Sequence, residues 1–330
     1  MDGDNGNDNS LQIAFENITD EYASIIKADM EDVDTSRFFK LVGAIKTVLS
    51  PAELSKTRIV MTADFIKSVE ARQNTEHKYS IERGSGIVAG KTMQPDKNGI
   101  VDVIFHLYLL APQDNPDISA DRDLHIVHVG IHEAVHAHLH HLNTNPFDVD
   151  RREDFPYAMR QFIFMASEQA EEHLAEYTSI GNGHRQNWTN PEAVESALRA
   201  LEDVLEAKLP MTHDSIDYSK AVHTIFGAFR IMWKALVFLA AELRDGDMFR
   251  EIPNEVAKLE VWQYYIAPWW NEYLELLGKI PTSLDVDIQR TDRVVKDLAE
   301  YLQTWSAELG YDFHDTSNGD GWFQIENPVY

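Results

Sequence analysis

The sequence predicts an α+β protein, predominantly helical, with a small sheet ahead of its central helix. Three observations carry that expectation. Apolar residues recur at helical spacing over most of the chain, the period changes to two between Arg58 and Leu110, and turn or breaker residues separate the two regimes.

Leu11 to Ala28 and Thr35 to Leu49 have helical patterns, the second ended by Ser50-Pro51 because the residue before proline avoids helical geometry. Arg58 to Thr62 and Gly86 to Met93 read as short strands. Ile100 to Leu110 is a clearer one, with Val101, Val103, Phe105, Leu107 and Leu109 on one face and Asp102, His106 and Tyr108 on the other. Pro95-Asp96-Lys97-Asn98-Gly99 supplies turn residues between the last two, which predicts an antiparallel hairpin and a mainly antiparallel sheet. After the loop from Pro112 to Asp121, Leu124, Val127, Ile131, Val135, Leu139 and Leu142 form an apolar stripe that Asn143-Thr144-Asn145-Pro146 ends. A second helix, about Pro156 to Ile180, stops at Gly181-Asn182-Gly183. Beyond Pro191 the pattern is helical over about 191–209, 216–244, 254–278 and 286–309, with Pro268 expected to kink or break its helix. Trp262, Trp269 and Trp270 read as helix-packing core. The resulting organisation is a disordered acidic tail at 1–10, a metal-binding domain at 11–185 and a helical C-terminal subdomain at 186–330 sharing its cleft.

The formal charge of -26, from 29 Lys and Arg against 55 Asp and Glu, repels nucleic acid and anionic membrane surfaces. The absence of cysteine excludes disulfides and a thiolate zinc site. The N-terminus lacks the basic and apolar runs of a secretory signal, and the most apolar stretch, Ala228 to Leu243, is short and interrupted by Arg230 and Lys234. A soluble, cytoplasmic protein without nucleic acid or membrane partners is expected.

The chemistry points to His132-Glu133-Ala134-Val135-His136. Histidines four residues apart on a helix differ by about 40° in direction, so both imidazoles can face one ion. Glu133 lies about 60° beyond His136, too far round to be a ligand yet close enough to hold and deprotonate a metal-bound water. A catalytic zinc needs a third protein ligand, and Glu168, Glu172 and Glu176 on the next helix form a stripe at four-residue spacing. Half of the 14 histidines lie between His125 and His141. His128 and His140 extend the His132/His136 row by one turn each way, but only His132 and His136 enclose the glutamate. The other histidines there read as supporting or surface residues, and His106, His173, His184, His213 and His223 are isolated.

His132-Glu133-Ala134-Val135-His136 followed by Glu172-His173-Leu174-Ala175-Glu176 resembles the gluzincin branch of zinc metallopeptidases. The resemblance spans about Arg58 to Ile180. It implies that His132, His136 and Glu172 bind zinc and that Glu133 is the general base in peptide-bond hydrolysis by a zinc-activated water. It also implies a short antiparallel sheet before the metal helix whose edge strand pairs with extended peptide substrate, a position that Ile100–Leu110 matches. Glu176 stands where Asp is commoner in the family, and the metzincin extension after His136 is absent. No motif marks the group that stabilises the transition state; Tyr177, Tyr218 and His223, with Glu176, are the candidates for that role or for supporting the ligands.

Three rival readings bear on this. Ser85-Gly86-Ile87-Val88-Ala89-Gly90-Lys91-Thr92 is a near-match to a phosphate-binding loop, but it lacks the first glycine, and Met93-Gln94-Pro95 cannot start the required helix. A carboxylate-bridged di-iron site would use Glu133 and His136 but needs a second Glu-x-x-His, and Ala170 stands where that glutamate would precede His173. The third is a regulatory metal-binding protein on a peptidase-like fold, since intact ligands do not require turnover.

Overall fold

The computed structural model describes residues 11–73, 82–83, 86–111, 116–182, 187–206, 218–317 and 321–325. The tail expected at 1–10 lies outside them. The chain forms two compact units, Met1–Asn145 with Thr178–Gln186, and Pro146–Tyr177 with Asn187–Tyr330. The architecture is mixed α+β, with long helices and small sheets.

The first unit runs β1 (Gln12–Glu16), α1 (Asp20–Met30), α2 (Arg37–Val48), α3 (Pro51–Leu54), β2 (Thr57–Thr62), α4 (Phe65–Glu70), β3 (Glu82–Arg83), β4 (Gly86–Ile87), β5 (Gly90–Thr92), β6 (Val101–His106), a 3₁₀ turn (Leu107–Leu110) and α5 (Pro116–His141). Its main sheet has the order β1-β2-β6-β5. The start of the helix expected from Leu11 is therefore a strand. β1 pairs in parallel with β2, Gln12 opposite Arg58, across a gap that holds α1 and α2, so no local signal announces the pairing.

The expectation of a mainly antiparallel sheet is also corrected. β1–β2 and β2–β6 are parallel, and within the main sheet only β5–β6, the hairpin foreseen from the turn at 95–99, is antiparallel. The strand expected at the edge, β6, lies between β2 and β5, and the outer strands are β1 and β5. Both faces of β6 are covered, because Val101, Val103 and Phe105 join a core with Leu41, Ile45, Ile59 and Ile126, while Ile104 joins Val60, Phe65 and Met93. Asp102, buried within this strand, accepts two hydrogen bonds from Arg58 at 2.8 and 2.7 Å and one from Arg72 at 2.5 Å. Arg72 also donates to Glu16 at 2.5 Å, so one ionic network ties β1, β2 and β6 together.

α5 lies against α2 at Gly130, where an added Cβ would meet Ala44 Cβ and Leu41 Cδ1 at 3.0 Å and the Leu41 carbonyl oxygen at 3.3 Å. A backbone atom cannot rotate away, so Gly130→Val must push the helices apart. It is expected to destabilise the protein by about 1–3 kcal/mol, read as a lower urea midpoint; an unchanged midpoint would show the packing to be loose.

The second unit contains α6 (Val149–Arg152), α7 (Tyr157–Gly181, whose last turn belongs to the first unit), α8 (Pro191–Glu206), α9 (Tyr218–Leu243), β7 (Arg244–Asp245), β8 (Met248–Phe249), α10 (Asn254–Ala257), α11 (Glu260–Tyr265), α12 (Trp270–Gly278), α13 (Ile288–Glu308), β9 (Tyr311–Asp315) and β10 (Gly321–Ile325). The break expected at Pro268 falls between α11 and α12, and Trp262 and Trp270 are buried core as expected, with ring centroids 5.0 Å apart. Trp233 of α9 sits at the centre, 4.6 Å from the Tyr273 ring and 5.0 Å from that of Trp305. The tail after Gly310 forms the β9–β10 hairpin, and Asp315 at the end of β9 accepts from the Ala158 and Met159 amides at 2.7 and 3.2 Å, capping the first turn of α7.

The helix expected over about 216–244 is α9, and its apolar span reaches further back than the Ala228 read from the sequence. By length and composition Val222–Leu243 could cross a membrane, yet 61% of its most apolar window is buried inside the protein. That burial identifies it as the core helix around which α8 and α13 residues pack.

Candidate metal centre

α5 is a continuous helix through His128, His132, Glu133 and His136, so the spacing read from the sequence becomes real geometry. The Nε2 atoms of His132 and His136 stand 3.2 Å apart, their rings meeting edge to face with centroids at 4.9 Å. Two nitrogens bound to one tetrahedral zinc at about 2.0–2.1 Å would be separated by about 3.3 Å. The pair is therefore already spaced for a shared ion, and both side chains are half-buried. His128 is buried and stacks at 6.4 Å on His132, one turn earlier. Among the described residues, His128, His132 and His136 are histidines whose ring nitrogens could serve a metal ion.

Glu133 is buried and turned toward β5. The Thr92 hydroxyl has the Glu133 carboxylate oxygen Oε2 at 2.7 Å and the Glu133 carbonyl at 2.9 Å as acceptors. Gly90 makes room for the side chain, since a Cβ there would lie 2.8 Å from Glu133 Cγ and 3.1 Å from Phe105 Cε1. Gly90 and Thr92 belong to the near-match to a phosphate loop. They form a strand here, and their role in the site is to seat the glutamate. The sequence reading missed both, although a glycine and a threonine at alternate positions of a strand point to one face.

The remaining histidines of α5 have other partners. His138 Nδ1 lies 2.7 Å from Glu53 Oε1, and His141 Nε2 lies 2.8 Å from the Thr57 hydroxyl, with burial holding the His141 pKa below its usual value. His106 sits among the rings of Tyr22, Phe65 and Tyr108 and accepts from the Tyr108 amide at 3.0 Å, so it is core. His184 and His213 lie outside the described residues, as does the Tyr218 side chain; His223 is exposed.

On α7 the three glutamates differ sharply. Arg230 grips both oxygens of Glu168, at 2.7 and 2.5 Å. Lys234 donates to Oε1 of Glu172 at 2.5 Å. Glu176 is buried and accepts from the indole N–H of Trp188 at 2.7 Å. Tyr177 stacks on His173 and lies under the Arg244 guanidinium, 5.1 Å from its ring centroid.

His173 is fully buried and accepts from Arg244 Nη1 at 2.9 Å. Burial, reinforced by the Arg244 charge, lowers its pKa from 6.5 to about 3. A histidine with a depressed folded pKa contributes stability above its unfolded pKa and loses it as pH falls, so stability should decline between about pH 6.5 and 3. Urea midpoints of metal-free protein across that range should fall steeply for the wild type and less steeply for His173→Gln, whose amide oxygen can still accept from Arg244. Equal slopes would exclude His173 as the source.

No protein-family model matches the sequence, and neither the curated proteins nor the solved structures yield a match.

Proposed function

We propose that the protein is a zinc-dependent peptidase in which His132 and His136 hold the metal, Glu172 is the third ligand that the family resemblance implies, and Glu133 is the general base. The observation that carries this reading is the 3.2 Å approach of the two imidazole Nε2 atoms, one residue from a glutamate locked by Thr92. Neutral imidazoles and a carboxylate suit Zn²⁺ as a donor set. Zinc at a three-ligand site lowers the pKa of a water toward neutrality. Glu133 takes the proton from the attacking water and returns it to the leaving amine, and Thr92 keeps the carboxylate aimed while it does so.

Substrate alignment is assigned to β5, in place of the strand suggested by the family resemblance. β5 is one of the two outer strands of its sheet, and its Gly90 backbone passes directly over Glu133. An extended peptide paired with β5 through main-chain hydrogen bonds would run past the base.

Elemental analysis tests the metal. About one zinc per chain is expected, lost in His132→Ala, His136→Ala and Glu172→Gln but kept in Glu168→Gln. Protein prepared without chelator that carries no transition metal, and takes up none when zinc is added, would end the proposal. Loss of zinc from Glu168→Gln alone would move the third ligand one turn along α7.

A further inference from the structure

Arg244 follows directly on α9 and carries a buried charge. Its N–H groups are taken by the carbonyls of Gly246, Leu277, Gly278 and Ile280 and by the His173 imidazole, all of them neutral acceptors. Among the described residues no carboxylate pairs with it. A guanidinium taken out of water without an opposite charge beside it is costly. The side chain lines a cavity of about 220 Å³ formed by the β7–β8 turn and the segment that joins α12 to α13. Arg290, in the first turn of α13, lines the same cavity; its Nε donates to the Lys279 carbonyl at 3.1 Å, and it too has no carboxylate partner among the described residues. Burial lowers the Arg244 pKa, and the Arg290 charge lowers it further.

Carboxylates line the cavity as well. Asp287 is engaged as the N-cap of α13, accepting from the Arg290 amide at 2.6 Å, but Asp247 and Asp285 are neither hydrogen-bonded nor ion-paired among the described residues. Thr282 and Ser283 add two hydroxyls to the lining. A simple anion entering here would be repelled by the aspartates, and a simple cation by the guanidiniums. A molecule that carries both charges escapes both penalties. We infer that this cavity is a binding site for a small zwitterion, a free α-amino acid, whose carboxylate is held by Arg290 with the Thr282 and Ser283 hydroxyls and whose ammonium is held by Asp247 and Asp285. Arginine suits the first task because its planar fork matches a carboxylate edge to edge. Arg244, with every donor engaged, supplies charge and fixes the walls, since the carbonyls it holds belong to both segments that form the cavity. The volume is below the range of about 300–1,000 Å³ typical of drug-sized ligands, as a molecule of amino-acid size requires.

The experiment is calorimetric titration of the purified protein with glycine and L-leucine. 4-Methylpentanoate and isopentylammonium serve as leucine without its ammonium and without its carboxylate, and inorganic phosphate as a plain anion. At least one amino acid is expected to bind, and each singly charged analogue to bind about 10-fold more weakly or worse. Arg290→Gln and Asp285→Asn alter exposed positions and are each expected to weaken amino-acid binding by about 10–100-fold at a wild-type urea midpoint. Asp247→Asn replaces either variant whose midpoint falls. His132→Ala is expected to bind the amino acid as the wild type does, which separates this site from coordination to a metal on α5. Absence of binding by both amino acids overturns the inference. So does an analogue or phosphate that binds as tightly as the amino acid, because the site would then read one charge only. Unchanged affinity in the cavity variants, or loss of binding in His132→Ala, places the amino acid elsewhere and overturns it too.

Discussion

Glu133→Gln is expected to keep its zinc and its stability while peptide cleavage falls by about two to four orders of magnitude, the usual contribution of general acid–base catalysis. The substitution is nearly isosteric. Its amide oxygen can still accept from the Thr92 hydroxyl that holds Oε2 at 2.7 Å, so the side chain stays in its seat under Gly90. What disappears is the basicity, and with it both proton transfers of amide hydrolysis. A library of peptides supplies the substrate, and rates are compared on zinc-loaded protein. Gly90→Ala reaches the same group from the other side, because its Cβ would meet Glu133 Cγ at 2.8 Å and force it off its present line. It is expected to lower the rate while zinc content is retained. Equal rates for the wild type and Glu133→Gln would reject the mechanism even with the metal site intact. A zinc-loaded wild type that cleaves no peptide would favour the regulatory reading.

Arg244→Met is expected to cost about 3–5 kcal/mol of stability, the range for breaking buried charged contacts. Arg244 is buried at the end of α9, and all five of its N–H groups have acceptors. Nε donates to Gly246 O, Nη1 to His173 Nε2 and Leu277 O, and Nη2 to Gly278 O and Ile280 O. One side chain thus ties α7, the β7–β8 turn and the end of α12 together. Methionine fills much of the volume but leaves buried acceptors without a donor, each costing about 1–3 kcal/mol before relaxation. Arg244→Lys keeps the charge with fewer donors and should fall in between. Urea unfolding measures the difference; a loss below about 1 kcal/mol would show that the loop reorganises around the gap.

How much of the site was legible follows from these contacts. The spacing of His132, Glu133 and His136 was readable because a helix turns by a constant amount per residue, whatever surrounds it. The residues that seat Glu133 were not, since Thr92 and Gly90 meet it only when β5 crosses α5. Lys234, too, reads in the sequence as an interruption of an apolar stretch. Its partner Glu172 lies on another helix, and sequence spacing within either helix says nothing about which faces meet.

The same division runs through the fold. The sequence by itself determined the long helices, the break near Pro268, the β5–β6 hairpin and the two-histidine spacing, because each depends on dihedral preferences and periodicity within a short segment. Only the tertiary structure decided that Gln12–Glu16 is a strand, that two of the sheet's three pairings are parallel, and that β6 is an inner strand with β5 outside it. Parallel partners are joined through intervening helices, so their registers are set by packing on the faces of the sheet, and a period of two identifies a strand without naming its neighbour.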